Sequence, residues 1–253
     1  MLPATQTTLL ELNRRFYQAF GPAFAATRRR IQPGVRAVLG RIPDGGRWVD
    51  LGCGSGALAV EWAQVFSAGG YLGLDFSAAL LAEARQALAG VDVPPGLEIR
   101  FAQADLAGAA WAEPLAGQVF DGALAFAVLH HLPGAELRRR ALHKVRGLLP
   151  AGGRFIHSNW QFQHSPKLMA RRQPWALAGL SDADVEPGDT LLDWRYALPG
   201  QPEQTGLRYV HLFSREELAS LAAETGFDVE ETFESDGEGG RLGLYQAWRA
   251  VGQ

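Results

Sequence analysis

The 253-residue sequence has one cysteine, Cys53, two lysines, and no apolar run approaching the ~20 residues that cross a bilayer as a helix. A lone cysteine excludes a disulfide framework and a cysteine-built zinc site, and fits a reducing compartment. The opening stretch, MLPATQTTLLELNRRFYQAF, lacks the apolar core and small-residue cleavage site of a secretory leader. The expectation is a cytoplasmic protein without a membrane span, and no residue spacing points to a metal. Apolar residues are plentiful, at 47%, enough for one sizeable core with an appended lobe.

The formal net charge is only −3, but it is unevenly spread. Residues 1–50 hold eight arginines against Glu11, Asp44 and Asp50, and residues 136–174 hold nine basic residues against Glu136 alone. Residues 228–240 hold six acids and no base. One face that meets a polyanion would produce this pattern, and so would ordinary solvated helix faces.

From Trp48 onward, short apolar runs at 47–51, 71–75, 97–103, 120–127 and 153–159 alternate with helical patterns at 56–68, 78–90 and 134–149. Such alternation is the sequence form of a parallel sheet covered by helices. Pro150 and the Gly152–Gly153 pair stop the third helix. Residues 161–207 show no clear period and read as an irregular insertion. Ser214, with Glu217 three residues on, has the form of a capping box opening a helix over 215–225, which Gly226 closes. Strands over 227–233 and 242–249 follow. The first 45 residues read as an arginine-rich helical arm.

The first strand ends in WVDLGCGSG and a helix follows, the context of a nucleotide-binding glycine turn. Its glycines, Gly52, Gly54 and Gly56, do not have the GxGxxG spacing, and no Gly-Lys-Ser/Thr ending makes it a Walker loop. Asp50 stands two positions before the first glycine. Asp75, nineteen residues after Gly56, ends the second strand, where an acid accepts hydrogen bonds from ribose hydroxyls.

The Asp-x-Gly-x-Gly-x-Gly turn, Asp75 in YLGLDFS, Asp105 in FAQADL and the stretch FDGALAFAVLHHLP together resemble class I S-adenosylmethionine-dependent methyltransferases. The resemblance implies S-adenosyl-L-methionine as cofactor, on a Rossmann-like α/β fold: a seven-stranded, mostly parallel sheet with helices on both faces and an antiparallel last strand. It makes 1–45 an N-terminal helical arm and 46–253 the methyltransferase domain, with a substrate-lid insertion over 161–213. Implied cofactor contacts are Asp50, Gly52, Cys53, Gly54, Gly56, Asp75, Phe76, Asp105, Leu106, Ala125, Phe126 and, from the arm, Tyr17.

Outside these motifs the chain is similar to a narrower group, the tRNA methyltransferases that esterify a carboxymethyl group on wobble uridine. The similarity is carried by Tyr17, Phe24, Thr27 and Arg28; by AVLHHLPGAELRRRAL; by Trp160 at the end of strand five; by Gly188–Asp189 and Trp194–Arg195; and by RYVHLF at 208–213, where Val210 replaces an aromatic residue. It implies tRNA and a small activator protein as partners. A carboxylate acceptor, with a pKa of ~4, needs no general base, so no fixed catalytic residue is expected. Arg28, Arg195 and Arg208 are the candidates to clamp it, through bidentate hydrogen bonds. Tyr209, His211 and Trp160 are the candidates to contact a splayed base. Methylation of a small metabolite at oxygen or nitrogen, and a non-catalytic cofactor-binding subunit, are the alternatives.

Overall fold

The structure, a computed structural model, describes residues 1–26, 30–196 and 203–252, and for 22–26 the backbone alone. Two helices come first, α1 (Pro3–Ala26) and α2 (Pro33–Leu39). An alternating run follows: β1 (Arg47–Leu51), α3 (Ala57–Val65), β2 (Ala68–Asp75), α4 (Ala78–Ala89), β3 (Gly96–Gln103), β4 (Gly122–Phe126), α5 (Ala135–Gly147) and β5 (Arg154–Trp160). Beyond it lie α6 (Pro166–Met169), β6 (Arg172–Gln173), β7 (Asp189–Tyr196), β8 (Gln204–His211), α7 (Arg215–Glu224), β9 (Phe227–Ser235) and β10 (Gly243–Ala250).

Seven strands form one sheet in the order β3-β2-β1-β4-β5-β10-β9. The first five run parallel, and β10 is antiparallel to both β5 and β9. The expected Rossmann-like architecture, including the antiparallel last strand, is the observed one. Helices cover both faces, so β1 and β4 are buried almost end to end and read as continuous apolar runs rather than alternating ones. On one face α5 and α7 pack Leu137, Leu142 and Leu218 against Val49, Phe155 and Trp248. On the other, α2 and α3 pack Val38 and Trp62 against Trp48, Tyr71 and Tyr245. Strand order reverses between β1 and β4, and the carboxyl ends of strands at such a switch point are where open α/β sheets bind ligands.

The helix starts follow their local chemistry. Ser77 caps α4 by accepting the Leu80 N–H at 3.3 Å, and Ser214 caps α7 by accepting the Glu217 N–H at 3.0 Å. The Glu217 side chain turns away to His211 and Arg138.

The insertion is more regular than its sequence. Instead of irregular chain, β6, β7 and β8 form a three-stranded antiparallel sheet. The first five residues of β7 are all buried, Asp189 and Asp193 among them, so no apolar/polar alternation is left for the sequence to display. β8 is an edge of this sheet, and α1 lies across it. Asn13 of α1 accepts the Tyr209 N–H at 2.8 Å and donates to the Tyr209 carbonyl at 3.2 Å, closing the strand edge as a neighbouring strand would.

His157 on β5 is wholly buried, stacked on Phe155 and edge-on to Trp248, and its Nδ1 accepts from the Asn159 amide at 3.0 Å. Burial pushes its pKa down to about 3. The unfolded chain gains this proton below about 6.5, whereas the folded chain resists it until about 3, so stability is lost as the pH falls through that window. At pH 5 the loss is about 2 kcal/mol. Urea unfolding of the protein and of His157→Gln at pH 7.5 and 5.0 should show that much less acid sensitivity in the variant; parallel pH profiles would remove this role from His157.

Candidate active site

The site is built at the carboxyl ends of β1, β2 and β4. Gly52, Gly54 and Gly56 all adopt left-handed backbone, with φ of +74°, +55° and +79°. A Cβ on Gly52 would meet Val128 Cγ2 at 2.6 Å, and one on Gly56 would meet the Cβ and Cα of Ala84 at 2.7 and 2.9 Å. Those two glycines let the loop touch the chain after β4 and let α3 start against α4. A Cβ on Gly54 would meet nothing within 4 Å: this glycine faces open space.

That space is a cavity of about 320 Å³, and Gly52, Cys53 and Gly54 line it. Asp75 lines it too. One Asp75 oxygen accepts the Gly54 N–H at 3.0 Å and the other the Ser77 N–H at 2.8 Å. A carboxylate has about four acceptor positions, so each oxygen retains capacity for a hydroxyl donor. Burial raises the Asp75 pKa, opposed by the Ser77 and Gly54 N–H groups. Phe76, Asp105, Leu106 and Phe126 are also in the sheet-side wall.

Helix α1 supplies the facing wall, with Leu10, Asn13, Arg14 and Tyr17. Arg14 pairs with Asp105 at 2.5 Å, while the other Asp105 oxygen accepts the Ala107 N–H at 3.0 Å. Tyr17 meets His131 Nε2 at 3.0 Å, and His131 Nδ1 lies 3.1 Å from the Tyr209 carbonyl. A carbonyl only accepts, so the His131 proton is on Nδ1 and the Tyr17 hydroxyl donates to Nε2.

Of the other residues named from the sequence, Trp160 alone among those described joins the cavity wall. Asp50 is buried beneath the glycine loop, where it accepts the Tyr71 hydroxyl; burial, with Asp75 nearby, raises its pKa to about 7. Ala125 is interior to β4, and Gly56 is spent on helix packing. Trp160 lines the cavity, and the buried Arg208 guanidinium lies over its ring at 4.6 Å and over Phe16 at 5.3 Å. Tyr209 and His211 point away from the cavity. The Tyr209 hydroxyl donates to Asp189 at 2.7 Å, and His211 bridges Asp189 (2.7 Å) and Glu217 (3.0 Å). Glu186, Asp189 and His211 come within metal-ligand reach of one another, but Arg138, Tyr209 and the Glu186 N–H already engage their carboxylates. Arg195 pairs with Asp193 at 2.9 Å on the insertion sheet. Arg28 lies outside the described residues.

Much of the charge of the arginine-rich α5 is matched within the chain, while Arg140 stays exposed. Arg138 is 2% exposed and pairs with Glu186 and Glu217. Arg139 pairs with Glu136 and Glu224, and Lys144 and Arg146 donate to backbone carbonyls. The acidic segment 228–240 is matched likewise: Glu230 pairs with Arg154 and Arg249, Glu231 with Arg41, and Glu234 with Arg215 and Arg241.

Residues 49–155, which hold the glycine loop, Asp75 and Asp105, match the family model of the Methyltransferase domain. The chain carries a methyltransferase domain. Beyond that domain it is 26% identical over 236 residues to the tRNA (carboxymethyluridine(34)-5-O)-methyltransferase of Schizosaccharomyces pombe, covering 87% of this chain and 90% of that one. It is 29% identical over 178 residues to the Arabidopsis thaliana protein of the same name, covering 70% of this chain and 39% of that longer relative. Among solved structures, an S-adenosylmethionine-dependent methyltransferase from Methanosarcina mazei superposes with a TM-score of 0.63 at 18% identity, covering 88% of this chain and 99% of that one. The fold of this methyltransferase is that of the S-adenosylmethionine-dependent enzymes.

Sequence reasoning missed Leu10, Asn13, Arg14, Ala127 and Val128, all in the cavity wall. Ala127 has φ +58°, a conformation its residue type does not announce. The division of labour in the methyltransferase glycine loop is testable by urea unfolding. Gly54→Ala carries only the left-handed penalty, about 1 kcal/mol. Gly56→Ala adds a clash with the α4 backbone and should cost at least about 2 kcal/mol. Equal losses would mean that Gly56 does not set the α3–α4 approach.

Proposed function

We propose that this methyltransferase transfers a methyl group from S-adenosylmethionine to the carboxylate of a carboxymethyl group on a wobble uridine of tRNA. The observation that carries the acceptor is Arg208, a buried cation stacked on the Trp160 ring that walls the cavity. The similarity to two proteins named as carboxymethyluridine methyltransferases supports it. The cavity suits the cofactor: Gly54 offers bare backbone to open space, and Asp75 keeps acceptor capacity for two ribose hydroxyls.

The sulfonium, when bound, supplies an already activated methyl group. What the chain contributes is alignment and charge. Asp75 and the glycine loop orient the cofactor end; Arg208, buried behind the Trp160 ring and not itself in the cavity wall, sets a positive charge beside the same space for the acceptor carboxylate. Tyr17 and His131 need not move a proton for an acceptor that is ionised at neutral pH; with Nδ1–H held by the Tyr209 carbonyl, they form a rigid wall. A second reading is a small-molecule acceptor. The internal pairing of the α5 charges and the wall formed by α1 favour it.

Transfer of labelled methyl groups, run on total RNA and on a small-molecule extract side by side, separates the two. Label in RNA that becomes base-labile, as an ester does, is the expected outcome; label confined to the extract would replace the tRNA reading. Asp75→Ala should weaken S-adenosylmethionine binding at least tenfold by calorimetry. Arg208→Lys should lower turnover at least tenfold with cofactor affinity kept, since an ammonium cannot bind a carboxylate bidentately. Undiminished turnover would remove Arg208 from the acceptor site.

A further inference from the structure

The two faces of the insertion sheet differ in chemistry. The register puts Asp189 and Asp193 of β7 on one face, with Tyr209 and His211 of β8. The opposite face carries Arg172, Trp194, Tyr196 and Arg208, and no residue of β6, β7 or β8 on that face is acidic. Trp194 and Tyr196 stand two residues apart on β7 with their rings stacked, centroids 5.2 Å apart and planes within 8°. Both are half-buried, so neither ring is consumed by a core.

Space for this ledge comes from Gly206, the residue directly across from Trp194 on β8. A Cβ there would meet the rings of Phe20 and Phe16 at 2.6–2.8 Å. Its absence lets these two α1 rings pack edge-on against Trp194, at 5.8 Å for Phe16 and 5.4 Å for Phe20. The contacts form an unbroken series. Tyr196 stacks on Trp194, Trp194 meets Phe16, the Arg208 guanidinium lies over Phe16 and Trp160, and Trp160 lines the cavity.

We infer that the Trp194–Tyr196 ledge is a stacking site for an unpaired nucleobase of single-stranded RNA, the neighbour of the nucleotide whose base enters the cavity. This rests on the tRNA reading above and extends it from one nucleotide to two. Much of the rest of that face is buried under α1 and the Trp160–Phe162 cluster, and the two rings stand at its partly exposed end; partly exposed aromatic rings are how proteins hold splayed bases without reading their sequence. The charge at the exposed part of that face agrees. Arg172 is exposed there, and no residue of β6, β7 or β8 on that face is a carboxylate, so a phosphate beside the ledge meets a cation and no like charge from these strands. Arg195 projects from the opposite face, tied to Asp193, and is not part of the ledge.

The test measures binding and turnover separately. The binding probe is a fluorescein-labelled, unmodified anticodon stem-loop RNA read by anisotropy; the turnover substrates are the same stem-loop carrying carboxymethyluridine and the free carboxymethyluridine nucleoside. Trp194→Ala and Tyr196→Ala should each weaken stem-loop binding by about tenfold, within the range lost per stacked base. They should raise KM for the modified stem-loop to match, with kcat and cofactor affinity unchanged. Turnover of the nucleoside, which has no neighbouring base, should not change. Trp194→Phe should restore most of the binding. If Trp194→Ala also loses cofactor affinity, Tyr196→Ala decides, since its ring lies at the outer end of the series. Alanine variants that bind the stem-loop as tightly as the unaltered protein would overturn the ledge, and so would an unaltered protein that does not bind RNA. RNA binding that depends on Trp194, without any methyl transfer to RNA, would keep the ledge and reject the carboxymethyluridine acceptor.

Discussion

One hydrogen-bonded pairing holds the site together: Asn13 of α1 against the backbone of Tyr209. The large sheet presents only half of a binding cavity, the floor at the carboxyl ends of its strands. The other half is α1, which belongs to neither sheet. Asn13 matches the N–H and C=O of an edge strand, so docking the helix and satisfying the strand edge are a single event. Arg14 and Tyr17 then reach Asp105 and His131 from one rigid helix. Anything that loosens Asn13 moves an entire wall.

The second constraint is electrostatic. A chain of 22 arginines and two lysines has strongly charged segments that look, in order along the sequence, like surfaces meant for a polyanion. Folding brings the segments together and cancels much of that charge. The acids of β9 meet arginines from α2–β1, β5, α7 and β10, and the arginine run of α5 meets glutamates from the insertion and α7. Most of these pairs are partly exposed and each adds little stability. Their larger effect is on location: RNA affinity, if it resides here, must come from a few arginines and from stacking rather than from a broad basic surface.

Much of the fold was legible because its signals are local. Most strands of the large sheet carry short apolar runs bounded by glycine, proline or an acid, and α4 and α7 open on serine caps. Gly54, Asp75 and Asp105 were legible because a close backbone approach and a strand-end carboxylate leave a pattern in sequence. The insertion sheet was not. Asp189 and Asp193 are buried in β7 by partners distant in sequence, which erases the period that would have marked a strand. Tyr209 and His211 showed an aromatic and polar motif, but only the register reveals that they face the acids and not the cavity. Asn13 and Arg14 carried no signal, since a polar residue on a long amphipathic helix looks solvent-facing until the element beneath it is known.

Cys53, the lone cysteine, stands between two glycines in the cavity floor, with the Gly73 backbone so close that a Cβ there would meet its sulfur at 2.9 Å. Burial, and the carboxylates of Asp50 and Asp75 after it, push its thiol pKa up, so the thiolate that begins cysteine oxidation is scarcely formed. Oxidants and alkylating reagents find no ready thiolate at this position. The thiol is thus insulated from the redox state of its surroundings first by its burial in the glycine loop and then by the acids beside it.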